Sequence, residues 1–135
     1  MKYTIEEVLN EKQAKEFLLL PVSLYKNDEN WVRPLDNDIT KVFDPEKNPF
    51  FKHGECTRWL LRDEKSRCVG RVASFIDRSS CHLDSYSVGG MGFFECINDQ
   101  EAAFMLFDRC RAWLEERGME SMEGPVNFGE RNEWW

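Results

Sequence analysis

The pattern of apolar and polar residues at the start of the chain predicts a strand followed by a helix. Residues 2–8 alternate between the two classes, which is typical of a short strand. Asn10 and Gln13 have the spacing of a capping box, and apolar residues then recur at helical spacing as far as Leu20. Because the residue before a proline is driven out of the helical region, this helix is predicted to end at Pro21.

The middle of the chain predicts a long connection and a β-hairpin. Residues 21–54 carry four prolines, and a short helix is predicted within them over residues 36–43. Two runs rich in strand-forming residues follow, 55–62 and 68–76, and a polar turn separates them. In the second run, Gly70 indicates either a bulge or a close approach of the backbone to a neighbouring element.

The rest of the chain predicts a strand, an amphipathic helix and a last strand. Residues 77–87 are polar and predict a loop, and residues 89–96 predict a strand. The helix after it is predicted to be capped by Asn98 and ended by Gly118. Its apolar positions recur on one face: Ala103, Leu106, Phe107, Cys110, Trp113 and Leu114. With a strand over 119–126, the chain predicts one α/β (α+β) domain over residues 1–135, with a mixed, mostly antiparallel sheet flanked by helices.

Composition narrows the function classes. The 135 residues are 41% hydrophobic and 13% aromatic, which excludes intrinsic disorder, and no apolar run is long enough to span a membrane. A net charge of −7 disfavours nucleic acids and anionic membranes as partners. The first residues show no signal peptide, so a cytoplasmic location with reduced thiols is expected. Five cysteines without a C-x-x-C pair and two histidines predict no metal site.

Two long tracts carry a resemblance to a known family. The first is NPFFKHGECTRWLLRDEKSRCVGRVASFID, and the second is GGMGFFECINDQEAAFMLFDRCRAWLEERGMESMEGPVNFGERNEWW. The second tract resembles the central part of a GNAT-type acyl-CoA N-acyltransferase, and both fit a family of longer, uncharacterised GNAT-like proteins. The resemblance implies a GNAT-like fold. It also suggests that the chain is the N-terminal part of a longer protein, with the fold truncated at its C-terminal end.

The resemblance also implies a cofactor, acetyl-CoA or another acyl-CoA, and places it. The strand that holds Phe94 and Cys96 would offer backbone groups to the pantetheine arm, and the turn at Asn98 would hold the pyrophosphate. That turn normally supplies free backbone N–H groups and glycines. Here it has neither a glycine nor a basic residue, and Asp99 and Glu101 occupy the first helical turn. We therefore expect a degenerate pyrophosphate-binding turn.

Candidate catalytic and substrate-binding residues are few. Glu95 could act as a general base through water, or it could be a solvated carboxylate or a partner of Arg109 or Arg111. Asn127 could offer its amide to a substrate, or it could bond its own backbone in a turn. The general-acid tyrosine that the family implies would follow a later strand, and none of the three tyrosines matches it: Tyr3, Tyr25 and Tyr86.

Two functions from different classes remain open. The first is an acyltransferase that transfers an acyl group from acyl-CoA to the amine of an unknown small-molecule acceptor. The second is a non-catalytic GNAT-like module that binds a small molecule or a protein, and the acidic first turn of the helix favours it. A strand edge left unpaired near Val126 would also predict a homodimer.

Overall fold

A six-stranded sheet forms the centre of the molecule, with one long helix on each face. The computed structural model describes residues 3–27, 39–44, 46, 48, 54–77, 82–83, 86–119 and 121–123. Its elements in chain order are β1 (Thr4–Glu7), α1 (Glu11–Leu24), a short 3₁₀ helix (Lys41–Phe43), β2 (Gly54–Arg62), β3 (Cys68–Asp77), β4 (His82–Leu83), β5 (Tyr86–Cys96), α2 (Gln100–Glu116) and β6 (Ser121–Glu123).

Among the strand pairs that the structure describes, all but one are antiparallel. The strand order is β1-β2-β3-β5-β4, and β6 pairs with β5 in parallel. The predicted hairpin is confirmed as β2 and β3, which pair along their length. The predicted mixed, mostly antiparallel sheet is likewise confirmed. The polar loop predicted over residues 77–87 is wrong in part, because residues 82–83 and 86–87 pair as the start of a further hairpin.

Gly70 shows both features that the sequence left open. The β2–β3 register shifts there, since Leu61 lies opposite Gly70 whereas Arg62 lies opposite Cys68, which leaves one extra residue in β3. A Cβ atom at Gly70 would also lie 2.9 Å from Cδ1 of Leu106. The glycine therefore lets α2 pack close to the sheet.

Two hydrophobic clusters lie on opposite faces of the sheet. The cluster under α2 contains Trp59, Leu61, Val72, Ile76 and Met91 of the strands, together with Ala102, Leu106, Cys110, Trp113 and Leu114 of the helix. The cluster under α1 contains Phe17, Ile39, Val42, Leu60, Ala73, Phe75 and Phe93. The strands thus alternate between the two clusters, as expected for a sheet that is covered on both sides.

The start of α2 differs by one residue from the prediction. Asp99 rather than Asn98 is the N-cap, and its side chain accepts a hydrogen bond from the backbone N–H of Glu101 at 3.0 Å. Both residue types cap helices well, so the sequence alone did not distinguish them. The buried alanine is accordingly Ala102, whereas Ala103 is only partly buried.

The end of α1 was predicted wrongly. The helix does not stop at Pro21 but continues to Leu24, with Pro21 inside it. At its other end the predicted cap is confirmed, because Asn10 Oδ1 accepts a hydrogen bond from the Gln13 N–H at 2.8 Å. In the part of the chain that the structure describes, no helix is long and apolar enough to cross a bilayer.

Candidate functional site

A β-bulge in β5 is the first feature of the candidate site. Arg71 of β3 lies opposite Glu95, whereas Ala73 lies opposite Gly92, so two steps along β3 face three steps along β5. Phe93, within the bulge, has a φ of 55°, a left-handed conformation that is uncommon for a bulky residue. An unfavourable backbone of this kind persists only where surrounding contacts hold it.

The bulge decides which way the following side chains point. Met91 packs in the cluster under α2, and strict alternation would send Phe93 and Glu95 to that same face. The extra residue reverses the alternation instead. Phe93 joins the cluster under α1, while Phe94 and Cys96 pack against the cluster under α2. Glu95 is thereby directed to the α1 side of the sheet.

Arg71 holds the bulge from the neighbouring strand. Its side chain is 4% exposed, and its Nε donates a hydrogen bond to the carbonyl oxygen of Phe93 at 2.9 Å. Its Nη1 donates to the carbonyl oxygen of Phe17 in α1 at 2.6 Å. The guanidinium also lies 4.7 Å from the centre of the Phe17 ring. One buried cation therefore connects α1 to the bulge in β5.

The carbonyl of Phe17 is available to Arg71 because of Pro21. In an α-helix the N–H of residue 21 would bond the carbonyl of residue 17, but proline has no N–H. The guanidinium of Arg71 supplies the missing donor. The helix then continues to its cap at Tyr25, whose backbone N–H bonds the carbonyl of Pro21 at 2.9 Å.

The extra turn of α1 brings Tyr25 to Glu95. The Tyr25 hydroxyl lies 2.9 Å from Oε1 and 3.1 Å from Oε2 of Glu95, and it donates a hydrogen bond to this carboxylate. Burial lowers the pKa of Arg71 to about 10, and the negative charge of Glu95 opposes that shift. Tyr25, Glu95 and Arg71 thus form one polar network on the α1 face of the sheet.

The N-terminus of α2 forms a second polar group, on the opposite side. Asp99 Oδ1 caps the helix, and Oδ2 accepts a hydrogen bond from the hydroxyl of Tyr3, which is almost fully buried. Asn98 is exposed. The first turn of the helix therefore already contains a carboxylate that is bound to its backbone and fixed by a buried tyrosine.

The side chains of three residues that the sequence proposed for the site point to different faces of the sheet. Glu95 points toward α1, whereas the Phe94 ring stacks on Phe107 of α2 with centroids 4.7 Å apart, and the Cys96 side chain packs toward that same helix. Any contact of these two residues with a ligand on the α1 side would have to use their backbone. Asn127 lies outside the described residues.

The partner of Glu95 is not either of the arginines that the sequence suggested. Arg109 lies 5.5 Å from the centre of the Trp59 ring on the α2 face, and Arg111 pairs with Asp108 at 3.5 Å. The partner of Glu95 is instead Tyr25, whose hydroxyl donates a hydrogen bond to the carboxylate.

Sequence reasoning missed both Tyr25 and Arg71. Tyr25 lay beyond the predicted end of α1, so nothing indicated that it would be held in place. Arg71 did leave a signal, because it is a single charge within the apolar run from Val69 to Ile76, where an arginine is rarely buried without partners. Within the ranges that the structure describes, no group of three or more His, Cys, Asp or Glu side chains could hold a metal ion.

Known proteins resemble this chain in sequence and in fold. No family model matches the chain. Protein YghO of Escherichia coli K12 is 29% identical over 126 residues, which is 92% of this chain but 31% of that protein. The chain therefore spans about a third of the length of the curated relative that it matches.

Two solved structures show the architecture. A GNAT-family acetyltransferase of Staphylococcus aureus MU50 has a TM-score of 0.62 at 15% identity, covering 89% of this chain and 70% of that one. AAC(6')-Iy in complex with the bisubstrate analogue CoA-S-monomethyl-acetylneamine has a TM-score of 0.62 at 13% identity, covering 94% and 81%. The chain has the GNAT fold, as the sequence tracts predicted.

Proposed function

We propose that this chain is an acyl-CoA N-acyltransferase-like domain whose acceptor side is the network of Tyr25, Glu95 and Arg71. The observation that carries the proposal is the Glu95 carboxylate, which the bulge in β5 directs toward α1 and which the Tyr25 hydroxyl holds at 2.9 Å. The bound CoA analogue of a protein with the same fold supports an acyl-CoA as the donor. The acceptor is a small molecule with an amine.

The chemistry assigned to this chain's own residues is a proton transfer. An acyl thioester, when bound, would supply the acyl group: a C–N bond to the amine would form, the C–S bond would break, and CoA would leave as a thiolate that takes up a proton from water. The amine must lose a proton as the C–N bond forms, and Glu95 is the carboxylate placed to receive it, directly or through one water. The Tyr25 hydroxyl fixes the orientation of that carboxylate. Arg71 acts as a positioning residue, because it holds the bulge that aims Glu95.

The proposal includes a degenerate pyrophosphate-binding turn at the start of α2, where GNAT proteins bind this group. A diphosphate placed against the amides at the start of α2 would compete with the Asp99 carboxylate for the N–H of Glu101. It would also meet the charges of Asp99 and Glu101 at short range. The residues of this turn therefore do not fit a diphosphate, and an acyl-CoA would gain little affinity there.

A non-catalytic module is the second candidate, and the Asp99 cap favours it. A GNAT fold that has lost its diphosphate contacts could retain the α1 face as a binding site for a small molecule or a protein. The two candidates differ in one measurable respect. The acyltransferase releases free CoA when it is supplied with acetyl-CoA and an amine, whereas the module binds its ligand without turnover.

The first test measures CoA release from acetyl-CoA with a panel of amines. In the acyltransferase, Glu95→Gln should lower kcat about 100-fold or more, since general-base catalysis contributes at least that much. Glu115→Gln, which removes an exposed carboxylate from α2, is the matched control and should leave kcat unchanged. Absence of turnover with every amine, while ligands still bind the α1 face, would favour the module.

The second test addresses the turn by calorimetry with CoA. The unchanged chain should bind CoA more weakly than micromolar. Asp99→Asn keeps a good N-cap residue but removes its charge, so it should tighten CoA binding about tenfold. Micromolar binding by the unchanged chain would contradict the degenerate turn.

A cytoplasmic location belongs to the same proposal. Four cysteines in the described ranges are free thiols: Cys56, Cys68, Cys96 and Cys110. Free thiols are typical of a reducing compartment, which supports this location.

A further inference from the structure

We draw no further inference here: the strongest candidate, the surface patch around the exposed ring of Phe104 on α2, is an apolar face, and nothing in the part of the chain that the structure describes shows what covers it.

Discussion

Arg71 donates hydrogen bonds to two backbone carbonyls, one in α1 and one in the bulge of β5. Pro21 deprives the Phe17 carbonyl of its helical partner, and Phe93 lies in the bulge, where the register of β3 and β5 shifts. Both accept hydrogen bonds from the Arg71 guanidinium. The role of this arginine is therefore structural and local, and the position of Glu95 depends on it.

We predict that Arg71→Met destabilises the fold by about 2–4 kcal/mol, because it removes two buried hydrogen bonds that a charged side chain donates to backbone carbonyls. Urea unfolding followed by tryptophan fluorescence measures the difference in free energy. Arg67→Met is the control, since Arg67 is 69% exposed, and its loss should change the free energy by less than about 1 kcal/mol. Equal costs for the two substitutions would contradict this account of Arg71.

At this scale the sequence predicted some residues and not others. Glu95 was a candidate from the sequence because it lies near the end of a glycine-rich strand, and its catalytic role stays a prediction. The cap of α2 was misplaced by one residue, from Asp99 to Asn98, because both side chains suit the position. Tyr25 was not foreseen, since its partner is 70 positions away and no local pattern connects the two.

Among the elements, α1 shows how a tertiary contact overrides a local rule. A proline normally ends a helix because its ring crowds the carbonyl four residues earlier and leaves it unbonded. Here a side chain from the sheet bonds that carbonyl, so the helix gains one further turn, which ends at Tyr25. Nothing in the sequence around Pro21 indicates that donor.

This coupling can be measured with a double-mutant cycle. Pro21→Ala restores an N–H that can bond the Phe17 carbonyl, so the cost of Arg71→Met should fall by about 1 kcal/mol or more in that background. Packing lost with the proline ring cancels in the cycle. Additive costs would show that Arg71 does not compensate for the proline.

The packing of α2 on β5 gives a second prediction for the elements. A Cβ atom at Gly89 would lie 2.3 Å from Cδ2 and 3.2 Å from Cγ of Leu114, which is 2% exposed. Gly89→Ala should therefore destabilise the fold by about 1–3 kcal/mol through overpacking. The midpoint of urea unfolding reports the change.

The substitution Leu114→Ala tests whether the steric clash causes the loss of stability in Gly89→Ala. It removes the atoms that the new methyl group would meet, so Gly89→Ala should cost much less in that background. A cost that is the same with and without Leu114 would show that the clash with this side chain is not its cause, since the lower entropy of the unfolded chain with alanine would by itself stabilise the fold.

For the whole molecule, the sequence predicted the core under α2 but not the face of the sheet on which the candidate site lies. The β2–β3 hairpin and the apolar face of α2 were predictable because their patterns repeat within one element. The bulge in β5 was not, since a register shift depends on the strand opposite. That shift decides whether Glu95 points toward α1 or α2, so the location of the candidate site could not be read from periodicity.

Self-association through a strand edge stays a prediction. Within the described ranges, β6 pairs with β5, and no strand pairs with its other side. We therefore expect a homodimer through the β6 edge. Size-exclusion chromatography with light scattering tests it, and a monomer at high concentration would contradict it.

Two thiols with raised pKa values, those of Cys110 and Cys96, lower the stability of the fold at alkaline pH. Burial raises the pKa of Cys110 to about 12 and that of Cys96 to about 11, from an ordinary value of 9.0. An unfolded chain would ionise these thiols near pH 9 while the folded chain keeps them protonated. The unfolded state then binds fewer protons than the folded state. The contribution of these thiols to the free energy of unfolding is therefore fully present below pH 9 and is lost as the pH rises toward 11–12.

Cys110→Val isolates one of these thiols. Each raised thiol contributes up to about 1.4 kcal/mol per pH unit to the slope in that window. Urea unfolding at intervals from pH 8 to 10.5 should therefore give a shallower slope for Cys110→Val than for the unchanged chain. Lysines and tyrosines that titrate in the same range are common to both proteins and cancel in the comparison. Parallel slopes would mean that Cys110 ionises as readily in the folded chain as in the unfolded one, which its full burial under α2 argues against.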